Sequence, residues 1–422
     1  MVQRYYIETL GCPKNQVDSD KIAGKLIADG LVATEDASKA DVVVVNTCAF
    51  IEEARKESID TMLSLDDTRK RSSRLIVTGC MAERYGDELA DALPEADQVA
   101  GFGVPLQLTR KPIAVTGEIP KFDLLNLPRP KSTSPWAYVK IAEGCDRSCG
   151  FCAIPSFRGP QRSRDVASIL TEVEQLEVRE VVLIAQDLAS YGKDRPDELG
   201  AGSIVQLVRD VAAMADWVRL LYLYPSDLSD ELIDAILDTG VPYFDLSLQH
   251  ASKEHLRRMK RWGDGPRFLE RIARIRTLSP DAAFRSNFIV GYPGETEEDH
   301  DQLLSFVRDA QLDWCGFFAF SPEDGTHALT LPNRVEEGLM NERLAELREL
   351  QDNISAERRD LLLGETIEVL VDEPGIARSF REAPEIDGVV QVPEHLEVGR
   401  FHTVVVDQVF GPDLIAVEAP GK

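Results

Sequence analysis

The chain has 422 residues, 43% of them hydrophobic, and carries 73 acidic against 47 basic side chains for a net charge of −26. That length predicts about two to four domains with real cores, and the negative charge opposes nonspecific binding to polyanions while favouring a basic partner. No apolar run approaches a membrane span, the first residues lead into a strand rather than a signal peptide, and the seven cysteines suit a reducing compartment; no membrane partner and a cytoplasmic location are expected.

Three short β-rich runs open the chain, and each ends on a cysteine. They read Ile-Glu-Thr-Leu-Gly-Cys at 7–12, Val-Val-Val-Val-Asn-Thr-Cys at 42–48 and Leu-Ile-Val-Thr-Gly-Cys at 75–80, each followed by a helix-like stretch. Buried parallel strands read as such runs, and α/β sites gather at the carboxyl ends of strands. Cys12, Cys48 and Cys80 are therefore expected to converge on one crevice. A single cysteine of this kind is ordinarily a small buried hydrophobe; three in the same topological position point to a metal.

Prolines at 105, 112, 120, 128, 130 and 135 mark a linker, because domain boundaries fall in Pro-rich segments. Strand-like runs then recur at 136–141, 181–185, 220–224, 243–248, 283–290 and 314–320, with helix-like segments such as 165–177, 204–215 and 295–310 between them. Six alternations imply a parallel sheet. A closed eightfold barrel needs two more units, so a partial (βα)₆ barrel is expected.

The first of these strands leads directly into Glu-Gly-Cys-Asp-Arg-Ser-Cys-Gly-Phe-Cys at 143–152. Cys145, Cys149 and Cys152 form a C-x₃-C-x₂-C run. Three thiolates this close suit three irons of a [4Fe–4S] cluster and leave the fourth open, since Cys₄ is the closed arrangement. Zinc wants four Cys/His ligands, or three and a water. The first histidine of the chain is His250, which would have to approach in the fold. A thioredoxin-like Cys149/Cys152 pair leaves Cys145 unexplained. Cys315, within an aromatic strand, reads as core packing.

A long helical pattern at 336–362 precedes a tail of Val-rich strands and Gly/Pro turns. Beyond residue 361 there are twelve acids against four basic residues, the reverse of an RNA-binding module. Nine basic residues at 253–276 run against the trend. They read as a solvated outer helix, with contact to RNA as the alternative.

The C-x₃-C-x₂-C run with Phe151 before its last cysteine resembles the signature of the radical S-adenosylmethionine (SAM) superfamily, and two cysteine triads in this layout resemble the methylthiotransferases within it. Gly-Cys-Pro-Lys-Asn at 11–15 and Arg-Gly-Pro-Gln at 158–161 are similar to the branch that modifies a ribosomal protein. The transfer-RNA branch typically has Gly-Cys-Gln-Met-Asn and Arg-Gly-Arg-Glu instead. The resemblance spans nearly the whole chain. It implies an α/β chain of three parts: an amino-terminal methylthiotransferase domain (1–125), a radical-SAM barrel (131–360) and a small TRAM-like β-barrel (361–422).

The resemblance implies two [4Fe–4S] clusters, an auxiliary one on Cys12, Cys48 and Cys80 and a radical-SAM one on Cys145, Cys149 and Cys152, with SAM as cofactor. The implied reaction adds a methylthio group to the β-carbon of an aspartate in small-subunit ribosomal protein twelve, free or within the subunit, with an electron donor such as flavodoxin or ferredoxin. No tRNA partner is expected. Isopentenyladenosine methylthiolation in transfer RNA, a noncatalytic iron–sulfur electron carrier and an RNA-binding adaptor are the alternatives. Candidate SAM contacts are Phe151; Arg158, with Arg162 and Arg164 beside it, for the carboxylate; Gln186 and Asp187, where the common Gly-Gly-Glu is missing; Gln249, flanked by Ser247 and His250; and Gly291, whose backbone allows close approach. Surface charge, a polar barrel lining and a tight turn are the plainer readings of these positions.

Overall fold

The structure, a computed structural model, describes residues 2–102, 104–106, 108, 124–200 and 202–419. Pro112 and Pro120 of the expected linker lie outside them. The amino-terminal unit is a five-stranded parallel sheet of β1 (Arg4–Thr9), β2 (Val32–Ala33), β3 (Val42–Thr47), β4 (Arg74–Gly79) and β5 (Gln98–Ala100), in the order β2-β1-β3-β4-β5. Helices α1 (Pro13–Ala28), α2 (Glu52–Thr68) and α3 (Cys80–Ala92) connect them. All six residues of β3 and of β4 are buried, which is why both read as continuous apolar runs.

Next comes β6 (Trp136–Lys140), followed by the short pair β7 (Ala142–Glu143) and β8 (Arg162–Ser163) with α4 (Ile154–Arg158) between them. Then follow α5 (Val166–Leu176), β9 (Glu180–Ile184), α6 (Pro196–Leu199), α7 (Ser203–Ala212), β10 (Trp217–Leu220), α8 (Asp230–Leu237), β11 (Tyr243–Gln249), α9 (Lys253–Arg258), α10 (Gly265–Leu278), β12 (Ala283–Val290), α11 (Glu297–Ala310), β13 (Trp314–Ala319) and α12 (Glu337–Asp360). Two parallel three-stranded sheets, β10-β9-β6 and β11-β12-β13, are joined by a parallel bridge between Leu223 and Leu246. The six strands make the partial barrel.

The third strand differs from the expected 220–224. It runs from Trp217 to Leu220, and the chain then leaves the sheet with Tyr222 at φ 66°, a conformation costly for a bulky residue. Leu223 still reaches β11 through the bridge, so the apolar run marks the seam rather than the strand.

Alternate residues along these strands face opposite ways. Ala137, Val139, Val181, Leu183, Val218, Leu220, Phe244, Leu246, Phe284 and Phe288 pack outward against the helices. A second cluster holds Tyr138, Val182, Ile184, Trp217, Tyr243 and Ala283 together with Val17 of α1 and Ala383 of the carboxyl-terminal unit. The barrel interior is thus shared by all three parts of the chain. Cys315, half-buried, packs against the outward-facing core, in line with its reading as core packing.

The carboxyl-terminal unit is a closed barrel of β14 (Thr366–Glu373), β15 (Ile376–Arg378), β16 (Val390–Gln391), β17 (Phe401–Phe410) and β18 (Asp413–Glu418). Arg378 is buried between Glu180 of β9 (2.7 Å) and Asp372 (2.5 Å), and Arg219 of β10 takes the other oxygen of Glu180 at 2.7 Å. Glu382 pairs with Arg359 at 2.6 Å and Asp387 with Arg285 at 3.2 Å. Several of the tail's acids are therefore spent inside the molecule rather than on its surface. No helix among the described residues is long and apolar enough to cross a membrane.

Candidate metal centres

Cys12, Cys48 and Cys80 stand at the carboxyl ends of β1, β3 and β4, three adjacent strands. Cys12 caps α1, whose first turn opens with Pro13; Cys80 begins α3. Asn15 ties the strand ends together, donating to the carbonyls of Leu10 (2.8 Å) and Thr47 (3.1 Å). Asn46 donates back to the Asn15 carbonyl at 2.8 Å, and Ser58 accepts from the Cys48 amide at 3.2 Å. Two glycines make room. A Cβ on Gly11 (φ 100°) would lie 2.9 Å from the Cys48 sulfur, and one on Gly79 (φ 92°) would strike Asn46 and the Thr47 backbone at 2.6 Å.

Cys145, Cys149 and Cys152 lie on the loop that leaves the barrel at β7. Gly150 donates to the Met259 carbonyl at 2.7 Å and accepts from the Ala328 amide at 2.8 Å, which pins the loop. The Cys145 sulfur accepts from the Arg147 amide at 3.4 Å, and Arg261 approaches the Cys149 sulfur at 3.4 Å. Arg147 and Arg261 also sit over the Tyr224 ring at 3.8 and 4.0 Å.

Burial pushes the Cys48 thiol up to about 12, with Cys12 and Cys80 adding to it; burial likewise pushes Cys145 to about 11 and Cys152 to about 12. Such thiols are poor free thiolates, and a bound metal is what deprotonates a coordinating thiol outright. Among the described residues, His250, His255 and Glu295 form the one trio whose donor atoms all fall within 4.8 Å; neither cysteine triad is that tight. A tetrahedral zinc with Zn–S bonds of about 2.3 Å holds its sulfurs roughly 4 Å apart. Wider triads that still feel one another suit a multi-iron cluster better than a single ion. His250, meanwhile, stacks on His255 with ring centroids 4.4 Å apart and accepts from the Ser252 amide at 3.0 Å. No contact between it and a cysteine of either triad is found among the described residues, so the zinc reading gains no histidine here.

The remaining expected residues divide. Arg158 is committed to groups between the domains: its guanidinium donates to Asp18 (2.9 Å), Glu143 (3.0 Å), Asn15 (2.8 Å) and the Cys80 sulfur (3.0 Å). Arg164 is tied to the Lys140 carbonyl (2.8 Å) and Glu172 (2.7 Å), and Arg162 is exposed beside the Pro160 carbonyl. Gln186 contacts Glu143 and accepts from the Gly144 amide at 3.1 Å, next to Cys145. Asp187 accepts from Arg147 at 2.6 Å and Ser190 at 2.7 Å. Phe151 is half-buried on the cysteine loop. Gln249 ends β11 at φ 73°, and Gly291 follows β12 with its amide 2.5 Å from Glu295.

Sequence reasoning missed the polar face of α1. Lys14, Asp18 and Lys21, at positions i, i+4 and i+7, are all buried. Lys21 reaches the Leu125 carbonyl (2.7 Å) and Glu172 (3.1 Å). Lys140 contacts Asp18 and pairs with Glu143 at 2.7 Å. Burial pulls Lys14 down to about 8, against the pull of Cys12 and Asp245. Helical spacing of charges reads as a solvated face; only the packing of β6 against α1 buries it.

Three family profiles match in order: the uncharacterized protein family UPF0004 at residues 4–101, the radical SAM superfamily at 139–307 and the TRAM domain at 363–418. A curated protein from Moorella thermoacetica, named ribosomal protein uS12 methylthiotransferase RimO, is 41% identical over 96% of this chain and 97% of its own length. The chain belongs to the RimO family. Relatives of the same name from Streptomyces avermitilis and Synechocystis are 40% and 39% identical over 98% of this chain, covering 96% and 97% of their own lengths. RimO membership with a radical SAM domain makes the chain a radical SAM enzyme that uses [4Fe–4S] clusters and SAM, and the residues of both triads fit such clusters.

Proposed function

We propose that the chain adds a methylthio group to the β-carbon of an aspartate in ribosomal protein uS12. The single observation that carries this reading is that the buried Arg158 guanidinium links Cys80 of the amino-terminal triad to Glu143, at the start of the loop that bears Cys145, Cys149 and Cys152. Full-length likeness to relatives named for uS12 supports the substrate, over the adenosine of transfer RNA.

Cys12, Cys48 and Cys80 would hold an auxiliary [4Fe–4S] cluster, and Cys145, Cys149 and Cys152 the radical-SAM one. When bound, these groups and SAM supply a carbon radical and a methylated sulfur, chemistry that side chains lack. A radical is required because an aliphatic C–H is too weak an acid for a positioned base. The chain's own part is to hold and orient: Phe151, Gln186, Asp187, Gln249 and Gly291 border the cysteine loop or the strand ends where SAM would lie. Arg158 serves the junction rather than the SAM carboxylate. An electron donor such as flavodoxin or ferredoxin, a cytoplasmic location, and domain limits at 1–125, 131–360 and 361–422 belong to the same reading.

The test is mass spectrometry of uS12 from cells with and without the gene, joined to an anaerobic assay on uS12 and transfer RNA. An added SCH₂ mass on an aspartate, only when the gene is present, is expected. Methylthiolation of RNA alone overturns the assignment.

A further inference from the structure

Lys14 is the second residue of α1, two positions after Cys12, and only 8% of it is exposed. Its Nζ lies 3.0 Å from the centroid of the Tyr222 ring. Neither a carboxylate nor a carbonyl accepts from it among the described residues. The cations of the two triads' surroundings and of the barrel interior have partners. Lys140 is held by Asp18 and Glu143, Arg158 by Asp18, Glu143 and Asn15, Arg147 by Asp187 and Asp227, and Arg285 by Asp387 and Asp245. Arg261 contacts the Ser247 carbonyl and approaches the Cys149 sulfur.

We propose that Lys14 binds the carboxylate of the substrate aspartate, an inference that rests on the functional reading above. A buried ammonium that no carboxylate contacts directly is costly, and a ring face compensates only part of that. With one side of the ammonium on Tyr222, its other N–H donors remain for an anion. The carboxyl carbon of aspartate is bonded directly to its β-carbon. Fixing the acid therefore fixes the reacting C–H within one bond, between Cys12 on one side and the barrel residues Tyr222, Asp245 and Glu143 on the other. One oxygen of Asp245 accepts from the Tyr222 amide at 2.9 Å and the other faces Arg285 at 3.6 Å. A neutral side chain in place of the aspartate would leave the ammonium unpaired, so the same contact selects against it.

The test uses the full chain with both clusters reconstituted anaerobically, as wild type, Lys14→Met and Lys14→Arg. Binding of a synthetic peptide carrying the target aspartate, and of its asparagine counterpart, is read by fluorescence anisotropy alongside iron content and electron paramagnetic resonance spectra. Lys14→Met is expected to weaken the aspartate peptide by roughly 10- to 100-fold, the range of one lost charge-assisted hydrogen bond. The asparagine peptide and the iron content should be unchanged, and Lys14→Arg should recover part of the loss. Unaltered preference for aspartate in Lys14→Met overturns the proposal. Loss of iron or of the amino-terminal cluster signal in that variant also overturns it, because Lys14 then serves the cluster. Wild-type protein that binds both peptides alike overturns the proposal as well, whereas wild-type protein that binds neither sinks the functional reading itself.

Discussion

Arg158 donates to the Cys80 sulfur at 3.0 Å, and so joins the amino-terminal triad to the barrel. The other nitrogen of the same guanidinium reaches Glu143 at 3.0 Å, whose second oxygen faces the Gly144 amide beside Cys145. A planar fork can serve several acceptors at once where an ammonium cannot. The path from one triad to the other is therefore a chain of charged contacts through a single side chain, sealed from solvent.

Removing that guanidinium should be expensive. Arg158→Ala leaves Asp18 and Glu143, with side chains 1% and 9% exposed, sharing Lys140 alone. Burying a charge whose partner has gone costs about 3–5 kcal/mol. Urea unfolding should show that loss for Arg158→Ala and a smaller one for Arg158→Lys; a change below about 1 kcal/mol would mean that the pairs are not load-sharing.

Gly79 precedes Cys80 in a left-handed conformation, with Asn46 and Thr47 where a side chain would go. Gly79→Ala should displace the strand end and empty the amino-terminal site. Iron analysis after reconstitution is expected to give roughly half the wild-type content, three of the six ligands being undisturbed. Full iron content in the variant would contradict the placement of Cys80 at that site.

Both triads and the strands that carry them were legible because fully buried parallel strands are apolar throughout and their carboxyl ends are where sites form. The polar interior of the barrel was not. Glu180, Arg219, Asp245 and Arg285 each put one charge into a largely apolar barrel strand, and a charge in a strand reads as an edge or a solvent face until its partner is known. Arg219 also hid the true start of β10, shifting the expected strand onto the seam at Leu223. Lys14 and Asp18 were missed for the same reason: what buries them is another domain, remote in sequence. Arg158 was singled out from the loop it follows, yet its partners on α1 could be found only in three dimensions.

Acid should weaken the fold before the carboxylates titrate. Burial holds His255 down at about 4 and His250 well below its ordinary value. Between about pH 6.5 and 4 the unfolded chain takes up these protons and the native chain does not, so stability falls as pH falls through that window. The slope is about 1.4 kcal/mol per pH unit for each histidine. Unfolding free energies measured across that interval should fall accordingly, and His255→Phe should remove one histidine's share. A flat profile in the wild type would show that the ring pair is solvated or already charged.

The carboxyl-terminal barrel should unfold with the rest of the molecule rather than separately. The segment after β15 supplies the Phe380 carbonyl to Arg219 at 2.8 Å, the Pro384 carbonyl to the Tyr138 hydroxyl at 2.9 Å, the Arg381 carbonyl to the Trp314 indole at 2.7 Å and Asp387 to the Tyr243 hydroxyl at 2.6 Å. Each acceptor satisfies a buried group of the catalytic barrel that would otherwise stand unpaired, at about 1–3 kcal/mol apiece. Arg378→Ala removes one of the two cations on Glu180, and by the cost of breaking a buried pair it should lower stability by about 3–5 kcal/mol. Calorimetry should then show one transition moved to lower temperature as a whole. A second transition, confined to the small barrel while the main one stays in place, would mean that this unit is an appendage and that the buried network does not couple the two.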